Sequence, residues 1–556
     1  MSQPPDHSPA RGARPRLSVP LGRLLGLGLF ALGCLGVIWV VQAQPTIGVA
    51  RQYAYPYRPS PPWGALATLA LLALPLVGGA IVWAKKVPGA FSAKHPEGRD
   101  GKRYQEPFSP FSQRHPWAIV ALFTLGGLLL RLGTAYAPKH FPALELAWPF
   151  LWKNTEGAYA GEARRAEHVG AYLAAYAHQL QESAERRVPH RVHLDTHPPG
   201  LVLVFVGLER FYDALPSVRR AVESWALRDS PSLAVLLRPG AFAIRHPIAV
   251  SLTAAHLFIV AASLAPLLCF AAARPILGRD AALAAAGLTA LIPGTHLFNP
   301  SADQAFPTVT LLLCYVAVKA VMTRKWFWGV GFGLVLYGAT FVHIGFGLVA
   351  VVVGVAAVLA WRAEAPERRV MELLAAYWRP AAAAVAAFLG VVLVAYALFD
   401  YSTFRVGWLC ARNNGVFYES WGRTYWPWVV VMPFEFAVSL GFGLALVAGG
   451  GWLHEAAGVV RHRSFWGRSA VLLASGALVL AMDVLGLTLG EAARLWLFLT
   501  PLVAVGAVDY VWRRWPEPRR VLGYLFAVQL LHTLVLSLAL DCGRTTTFLM
   551  DFLKEP

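Results

Sequence analysis

The chain has 556 residues, of which 57% are hydrophobic and only 14% are charged, and its mean hydropathy is +0.51. A water-soluble protein of this length does not show such a composition, so we predict a polytopic membrane protein. The formal charge of +18 does not indicate a nucleic-acid partner, because Lys and Arg occur in short clusters between apolar runs, as in the cytoplasmic loops of membrane proteins.

Apolar runs of roughly 17 to 25 residues mark candidate membrane-spanning helices. The first run follows several arginines and ends at Ala43, and its length favours a retained anchor over a cleaved signal peptide. The predicted fold class is an all-α polytopic membrane protein with about thirteen spans, at 21–43, 63–84, 116–136, 247–273, 280–298, 304–322, 326–342, 344–361, 379–399, 427–449, 469–488, 493–511 and 521–540.

The basic residues between these runs predict the orientation. The segment 85–115 and the joints near 274–279, 324–325, 362–369, 461–468 and 513–520 carry Lys and Arg clusters, and all of them fall on one side. With that side cytoplasmic, the N-terminus is predicted inside and the C-terminus outside, and we expect the protein in the plasma (inner) membrane. We divide the chain into an N-terminal tail with two extra helices (1–115), a core (116–361) and C-terminal helices (362–556).

One short apolar run decides on which side of the membrane the later loops are placed. After Pro199 there are only about nine apolar residues before Glu209, against the roughly twenty that are needed to span a bilayer. We therefore predict that 200–213 is a short helix at the membrane surface, which makes 137–246 one long outer loop. Apolar residues recur at helical spacing over 156–185, so the loop is predicted to be folded, with amphipathic surface helices.

The motif His193-Leu-Asp-Thr-His197-Pro198-Pro199-Gly200 places ionisable groups beside a rigid Pro-Pro pair in this loop. Charged residues in a membrane protein are costly, and several more fall at helix ends on the side predicted to be outside. They indicate a shared cavity there. Beyond Asp195 and His197 of the motif, these residues include Glu145, Glu156, Glu162, Asn299, Asp303, His343, Asp400, Asn413, Asn414, Glu491 and Arg494.

Each candidate also has a structural interpretation. His197 could cap the helix that begins after Pro-Pro, and Asp303 could cap the helix predicted near residue 304. Glu491 and Arg494 are three residues apart on a helix face, so they could form only a local ion pair.

Two further candidates sit where structural residues are common. His343 lies between two predicted helices, where histidines are often merely interfacial. Asn413 and Asn414 precede Gly415 and could be turn residues.

At these residues the chain resembles the membrane glycosyltransferases of the GT-C class, in particular the protein O-mannosyltransferases and aminoarabinose transferases (glycosyltransferase family 39-like). That branch has a first core helix, a long outer loop with an acidic motif of the kind Asp-Glu-x-x-Tyr, a His-Pro-Pro-Leu motif, and a later outer Asp. Here these correspond to 116–136 with Arg131, to Thr155-Glu156-Gly-Ala-Tyr159, to the His197–Gly200 segment, and to Asp303.

Two positions depart from the family pattern. Thr155 stands where the family usually has its catalytic Asp, and Gly200 replaces the usual Leu. The base is therefore Glu156, or has moved to Asp195 or Glu162, or is missing.

The resemblance implies that a polyprenyl-phosphate sugar donates its sugar to an acceptor hydroxyl at the outer face of the cell envelope, with inversion. A carboxylate takes the acceptor proton, for which we predict Glu156 first and Asp195 second. The leaving phosphate needs cations or dipoles rather than a general acid, and His197, Arg494 and Arg131 are suitable residue types. Asp303 is expected to hold acceptor or sugar hydroxyls or, with Glu156, a divalent cation.

Tyr159, His343, Glu491 and Asn414 complete the predicted substrate-binding set. The expected partners are the lipid-linked donor, a lipid, glycan or protein acceptor, and the bilayer. The main alternative is a transporter or flippase of a lipid-linked glycan, because polar residues also line transport paths. No internal repeat and no midplane clustering favours that alternative. A structural subunit of an envelope complex is a third interpretation.

Overall fold

The computed structural model describes residues 19–49, 53–58, 63–84, 115–136, 142–151, 156–186, 192–230, 248–364, 370–462, 467–515 and 517–540. Thr155 and most of the basic segment 85–115 lie outside the described residues. The described part is almost entirely helical, as expected for the predicted fold class, and adds one small hairpin that the sequence did not predict.

The N-terminal part packs against the end of the chain. Its elements are the helix Val19–Ala43, the antiparallel strands Ile47–Val49 and Tyr53–Tyr55, the helices Ala65–Leu72 and Leu74–Ala84, and the helix Pro116–Tyr136. The first helix lies along Pro518–Ala539, and the guanidinium Nε of Arg58 donates a hydrogen bond of 3.1 Å to the carbonyl of Leu540. The first apolar segment is therefore an integral part of the helix packing.

The region predicted as a long outer loop folds into helices, as expected. They are Pro142–Leu151, Gly157–Ala163, Val169–Arg186, Val192–Thr196, Gly200–Ala214 and Pro216–Asp229, and residues 231–247 lie outside the described part. The short helix after Pro199 was predicted over 200–213 and extends over 15 residues. At 1.5 Å per residue it is roughly 22 Å long, which is shorter than a bilayer core of about 30 Å. These helices share an apolar core with the helix Ile248–Ser263.

The remaining described chain consists of helices joined by short connections. They are Ile248–Ser263, Ala265–Leu277, Arg279–Ala290, Gly294–Leu297, Phe306–Thr323, Trp326–Val342, Phe346–Glu364, Val370–Phe399, Thr403–Ser420, Tyr425–Leu440, Phe442–His462, Ala470–Val484, Ala492–Leu495, Thr500–Arg514 and Pro518–Ala539, with 3-10 turns at Ala302–Ala305, Gly467–Ser469 and Leu497–Leu499.

Within the described residues, eight helices are long and apolar enough to cross a membrane, and the pair Ala65–Leu72 and Leu74–Ala84, bent by 46°, adds a ninth if it is one span. The prediction of about thirteen spans is not confirmed. The predicted span 280–298 contains a helix of only 12 residues, Arg279–Ala290. Pro293 follows it closely, and proline cannot donate the hydrogen bond that would continue the helix. The span predicted at 493–511 likewise begins with two short turns before Thr500–Arg514.

The predicted span 427–449 is wrong, because two helices meet inside it. Tyr425–Leu440 ends at Gly441, whose φ of +96° is strained for any residue with a side chain. The next helix, Phe442–His462, contains the candidate span. Arg423, before the first helix, donates to the carbonyl of Leu489, and Ser439, near its end, donates to the carbonyl of Ala493. Both ends of Tyr425–Leu440 are thus fixed to one short segment, 489–493.

Candidate functional site

The carboxyl groups of Glu156 and Asp303 form the centre of the candidate site. Glu156 directly precedes the helix Gly157–Ala163, and its Oε1 accepts a hydrogen bond of 2.7 Å from the backbone N–H of Ala302. Asp303 is the next residue in the chain after Ala302. Both acidic side chains are buried, and Oε2 of Glu156 is a buried oxygen with no hydrogen-bond partner in the described structure.

Asp303 does not cap a helix. It lies inside the 3-10 turn Ala302–Ala305, and no side-chain cap bond occurs at the start of this turn or of the helix that follows. Its Oδ2 lies 3.3 Å from Nε of Arg494 instead. Asp303 and Arg494, which the sequence indicated only as separate candidates, therefore meet across 191 residues of chain.

Arg494 belongs to a chain of alternating charges. Its Nη2 lies 2.8 Å from Oε2 of Glu491, and Oε1 of Glu491 lies 2.8 Å from Nη2 of Arg423. The local Glu491–Arg494 ion pair therefore exists, but it is one link in a longer series that runs from Asp303 to Arg423. The series alternates in sign, so each charged group has an opposite charge beside it.

The pKa values of Glu156 and Glu491 are shifted in opposite directions. Burial and then the neighbouring charge of Asp303 raise the pKa of Glu156 to about 8, against smaller opposing effects of the Ala302 N–H and Arg494. Burial also acts to raise the pKa of Glu491, but Arg494 and Arg423 outweigh it and bring the pKa to about 2. At neutral pH Glu156 is therefore mostly protonated, whereas Glu491 is ionised.

Next to these charged residues lie the rings of three histidines and a tyrosine. The ring centroids of His197 and His343 are 5.1 Å apart, and Tyr159 lies 6.2 Å from His197 and 6.0 Å from His193. Burial lowers the pKa of His197 well below its usual range, with further lowering by His343, His193 and Arg494. Burial and then Arg494 lower the pKa of His343 to about 4. Both rings are therefore neutral at neutral pH, so neither supplies a positive charge.

Hydrogen-bond partners assign the tautomers of these two rings. Nδ1 of His197 lies 3.1 Å from the carbonyl oxygen of His193, which can only accept, and 2.9 Å from the hydroxyl of Thr196, which can also accept. A proton on Nδ1 satisfies both contacts and leaves Nε2 as an acceptor. Nδ1 of His343 accepts a hydrogen bond of 3.0 Å from the backbone N–H of Gly345, so its Nε2 carries the proton. The pair offers one acceptor and one donor nitrogen.

The His197 segment is held in place from two helices. The hydroxyl of Tyr176 lies 2.7 Å from the carbonyl oxygen of His197, and Nδ2 of Asn413 donates a bond of 3.0 Å to the carbonyl of Asp195. A side chain would not fit at Gly200. A Cβ at this position would lie 2.8 Å from the carbonyl carbon of Phe341 and 2.9 Å from Cα of Val342, so the backbone before His343 approaches too closely for a side chain.

The carboxylate of Asp195 lies at a surface cavity. Its Oδ2 accepts a hydrogen bond of 2.6 Å from the hydroxyl of Ser183, and it lines a surface cavity of about 520 Å³ together with Glu162 and several arginines. Neither Glu156 nor Asp303 lines this cavity. The second predicted base, Asp195, and the third, Glu162, thus line a charged cleft at the protein surface, here called the outer cleft, which Glu156 does not line.

Arg131 is completely buried and acts as a support. Its Nη2 donates a bond of 2.8 Å to the hydroxyl of Thr295, and its carbonyl accepts a bond from the side chain of Asn299. These bonds fix the segment that leads to Asp303.

The asparagines do not form the predicted turn. The helix Thr403–Ser420 runs through Asn413, Asn414 and Gly415. Asn413 is buried and binds the carbonyls of Leu180 and Asp195, whereas Asn414 next to it is half-buried. The turn interpretation fails because glycine inside a helix is tolerated at a modest cost when tertiary contacts stabilise the helix.

Arg423 is the member of the group that the sequence did not identify. It lies in the loop between Thr403–Ser420 and Tyr425–Leu440, and it is buried. The aromatic residues on both sides of it are the only sequence signal, since arginine often stacks on aromatic rings.

In the described part of the chain, no three His, Cys, Asp or Glu residues are grouped so that they could hold a metal ion. Comparisons with protein-family models, with curated proteins and with solved structures give no match to this chain.

Proposed function

We propose that this protein is a membrane glycosyltransferase, which moves a sugar from a polyprenyl-phosphate donor to an acceptor hydroxyl at the outer face of the membrane, with inversion at the sugar carbon. One observation carries the proposal. The buried carboxyl of Glu156 has a free oxygen and lies beside the Asp303–Arg494 pair and two neutral imidazoles, and these groups come together from five separate segments of a membrane protein.

Glu156 is the base in this mechanism. In its ionised form it takes the proton of the acceptor hydroxyl while the new bond to the sugar carbon forms and the bond from that carbon to the phosphate oxygen breaks. A pKa of about 8 makes Glu156 a stronger proton acceptor than an ordinary carboxylate, although only a minority of molecules are ionised at neutral pH. Asp195 is less suitable, because it already accepts a hydrogen bond from Ser183 and faces the outer cleft.

The leaving group is the polyprenyl phosphate anion, which needs positive charge and hydrogen-bond donors. Arg494 supplies the charge, and the protonated Nε2 of His343 supplies a neutral donor. His197 is neutral, so we assign it a hydroxyl-binding role through its acceptor nitrogen rather than the cationic role expected from its residue type. Asp303 fixes the orientation of Arg494 and, through its charge, keeps the proton affinity of Glu156 high.

The proposal is tested by a transfer assay on the protein reconstituted in lipid nanodiscs with a radiolabelled polyprenyl-phosphate hexose and a mixture of envelope lipids and glycans as acceptors. Glu156→Gln, Asp303→Asn and Arg494→Lys should each reduce transfer by about 10²-fold or more. Asp195→Asn is the matched carboxylate control and should retain most of the activity.

Three results would contradict the proposal. Full activity in all three site variants would show that these residues do not form the active site. Loss of activity in Asp195→Asn alone would show that the base lies in the outer cleft. If wild-type protein moves the labelled lipid across proteoliposomes without transferring the sugar, the protein is a flippase instead.

A further inference from the structure

We infer that Arg423 is a positioning residue of the proposed site, which holds Glu491 so that Glu491 in turn sets the orientation of Arg494 toward Asp303. This inference rests on the proposed function for its catalytic consequence, but the geometric link can be measured without any substrate. Arg423 would act through two other residues and would touch no substrate itself.

Arg423 is fixed from several directions. Its side chain is only 1% exposed, and its Nη1 donates a hydrogen bond of 2.7 Å to the carbonyl of Leu489. The guanidinium lies 5.1 Å from the ring of Phe417 and 5.6 Å from the rings of Tyr418 and Trp428. A buried arginine with rings on its faces and a carbonyl at one nitrogen has little freedom to change its orientation.

The segment that Arg423 contacts is an unusual turn. Gly490 has φ +102° and Glu491 has φ +59°, so two successive residues adopt left-handed backbone conformations. For a glutamate this conformation costs free energy and persists only when surrounding contacts hold it. Arg423 supplies contacts at both sides of the turn, to the carbonyl of Leu489 and to the carboxylate of Glu491.

Glu491 connects Arg423 to Arg494 and so restricts the orientation of Arg494. One carboxylate oxygen accepts from Arg423 and the other lies 2.8 Å from Arg494, so the planar carboxylate is clamped between two guanidinium groups. Arg494 then lies 3.3 Å from Asp303. A rotation of Glu491 would remove the contact that sets the direction of Arg494, which is the cation of the proposed mechanism.

The charge of Arg423 and its geometry make different contributions. A lysine would keep the charge, but it has a single nitrogen and no planar fork with which to reach Leu489 and Glu491 together. Arg423→Lys therefore separates positioning from electrostatics, and Arg423→Met removes both. Arg513 is a matched control, because it is another largely buried arginine, bound to Asp509 and Glu455, away from this group.

The first measurement is an infrared pH titration of the carboxyl groups of the protein in nanodiscs, without substrate. In wild type Glu491 remains ionised down to a pKa of about 2. In Arg423→Met its titration should move up by about 1 to 3 pH units, because one guanidinium is gone while burial remains. The signal is assigned by its loss in Arg423→Met combined with Glu491→Gln. An unshifted titration in Arg423→Met would overturn the inference.

The second measurement is a double-mutant cycle on sugar transfer. Arg423→Lys should reduce kcat/KM by about 10- to 100-fold, because the geometry is lost although the charge is kept. Adding Arg423→Lys to Glu491→Gln should then cost less than about 3-fold more, since both changes break the same link. Arg513→Lys combined with Glu491→Gln should instead give the product of the two separate effects.

The outcomes separate the two proposals. Full activity of Arg423→Lys, or effects of Arg423→Lys and Glu491→Gln that multiply, would overturn the positioning role. If wild-type protein transfers no sugar from any polyprenyl-phosphate donor, the proposed function fails, and the infrared titration still decides whether Arg423 holds Glu491.

Discussion

The protonation of Glu156 predicts that stability depends on pH in a way that one substitution should reverse. The pKa of this group is about 8 in the folded protein against its ordinary value of 4.5, because burial and then Asp303 disfavour the charged form. The folded state therefore binds the proton more tightly than the unfolded state. The resulting stability is fully present below pH 4.5 and is lost as the pH rises through about 8.

The expected magnitude follows from the size of this difference. One pKa unit corresponds to about 1.4 kcal/mol, so the wild-type protein should lose roughly 5 kcal/mol of stability across the whole interval. Glu156→Gln is neutral at every pH, and its amide oxygen can still accept the hydrogen bond from Ala302. We expect the variant to be close to wild type near pH 5 and more stable than wild type by several kcal/mol near pH 9.

The measurement is equilibrium unfolding in mixed micelles at a series of pH values. Glu491→Gln is the control, because its pKa of about 2 predicts a loss of stability that stays constant over the same range. If the curves of Glu156→Gln and wild type run parallel between about pH 5 and 9, Glu156 is not protonated in the folded protein and the reasoning fails.

Three further predictions follow from the same geometry. In the transfer assay, kcat/KM of wild type should rise with pH and level off above about 8, and a flat profile would exclude Glu156 as the base. Asp303→Asn should move this rise to lower pH in the same assay, because the charge of Asp303 raises the pKa of Glu156; a move to higher pH would contradict that assignment. Gly200→Ala should cost about 1 to 3 kcal/mol of stability through its contact with the backbone of Phe341. Gly207→Ala, in open space on the same helix, should stabilise by about 0.5 to 1 kcal/mol, and equal effects in unfolding experiments would refute the close approach.

The helix positions could largely be predicted, because long apolar runs and their basic flanks are strong signals. The short helix at 200–213 is the clearest case, since length alone determined it and the structure gives Gly200–Ala214. The prediction failed where a single residue breaks an apolar run. Gly441 and Pro293 interrupt runs whose average hydropathy is continuous, and hydropathy carries no information on backbone conformation.

The members of the candidate site were recognisable by residue type, but their pairings were not. Asp303 and Arg494 were both selected, yet nothing in the sequence indicated that they meet. Asp195 stood next to His197 in one short motif, but the helix Val192–Thr196 turns its carboxylate to Ser183. Arg423 was missed because its function depends on rings and on a carbonyl that only the tertiary structure brings to it.

The charge series has a consequence for how the protein is made. Glu156 and Asp303 are synthesised in the first 303 residues, whereas Arg423 and the turn at 490–494 follow much later in the chain. Well over a hundred residues are synthesised between Asp303 and Arg494, so the two early carboxyl groups are made long before this arginine. A chain truncated before residue 489 would retain most of its apolar helices but would lack Arg494, so the apolar helices do not by themselves complete the charge series.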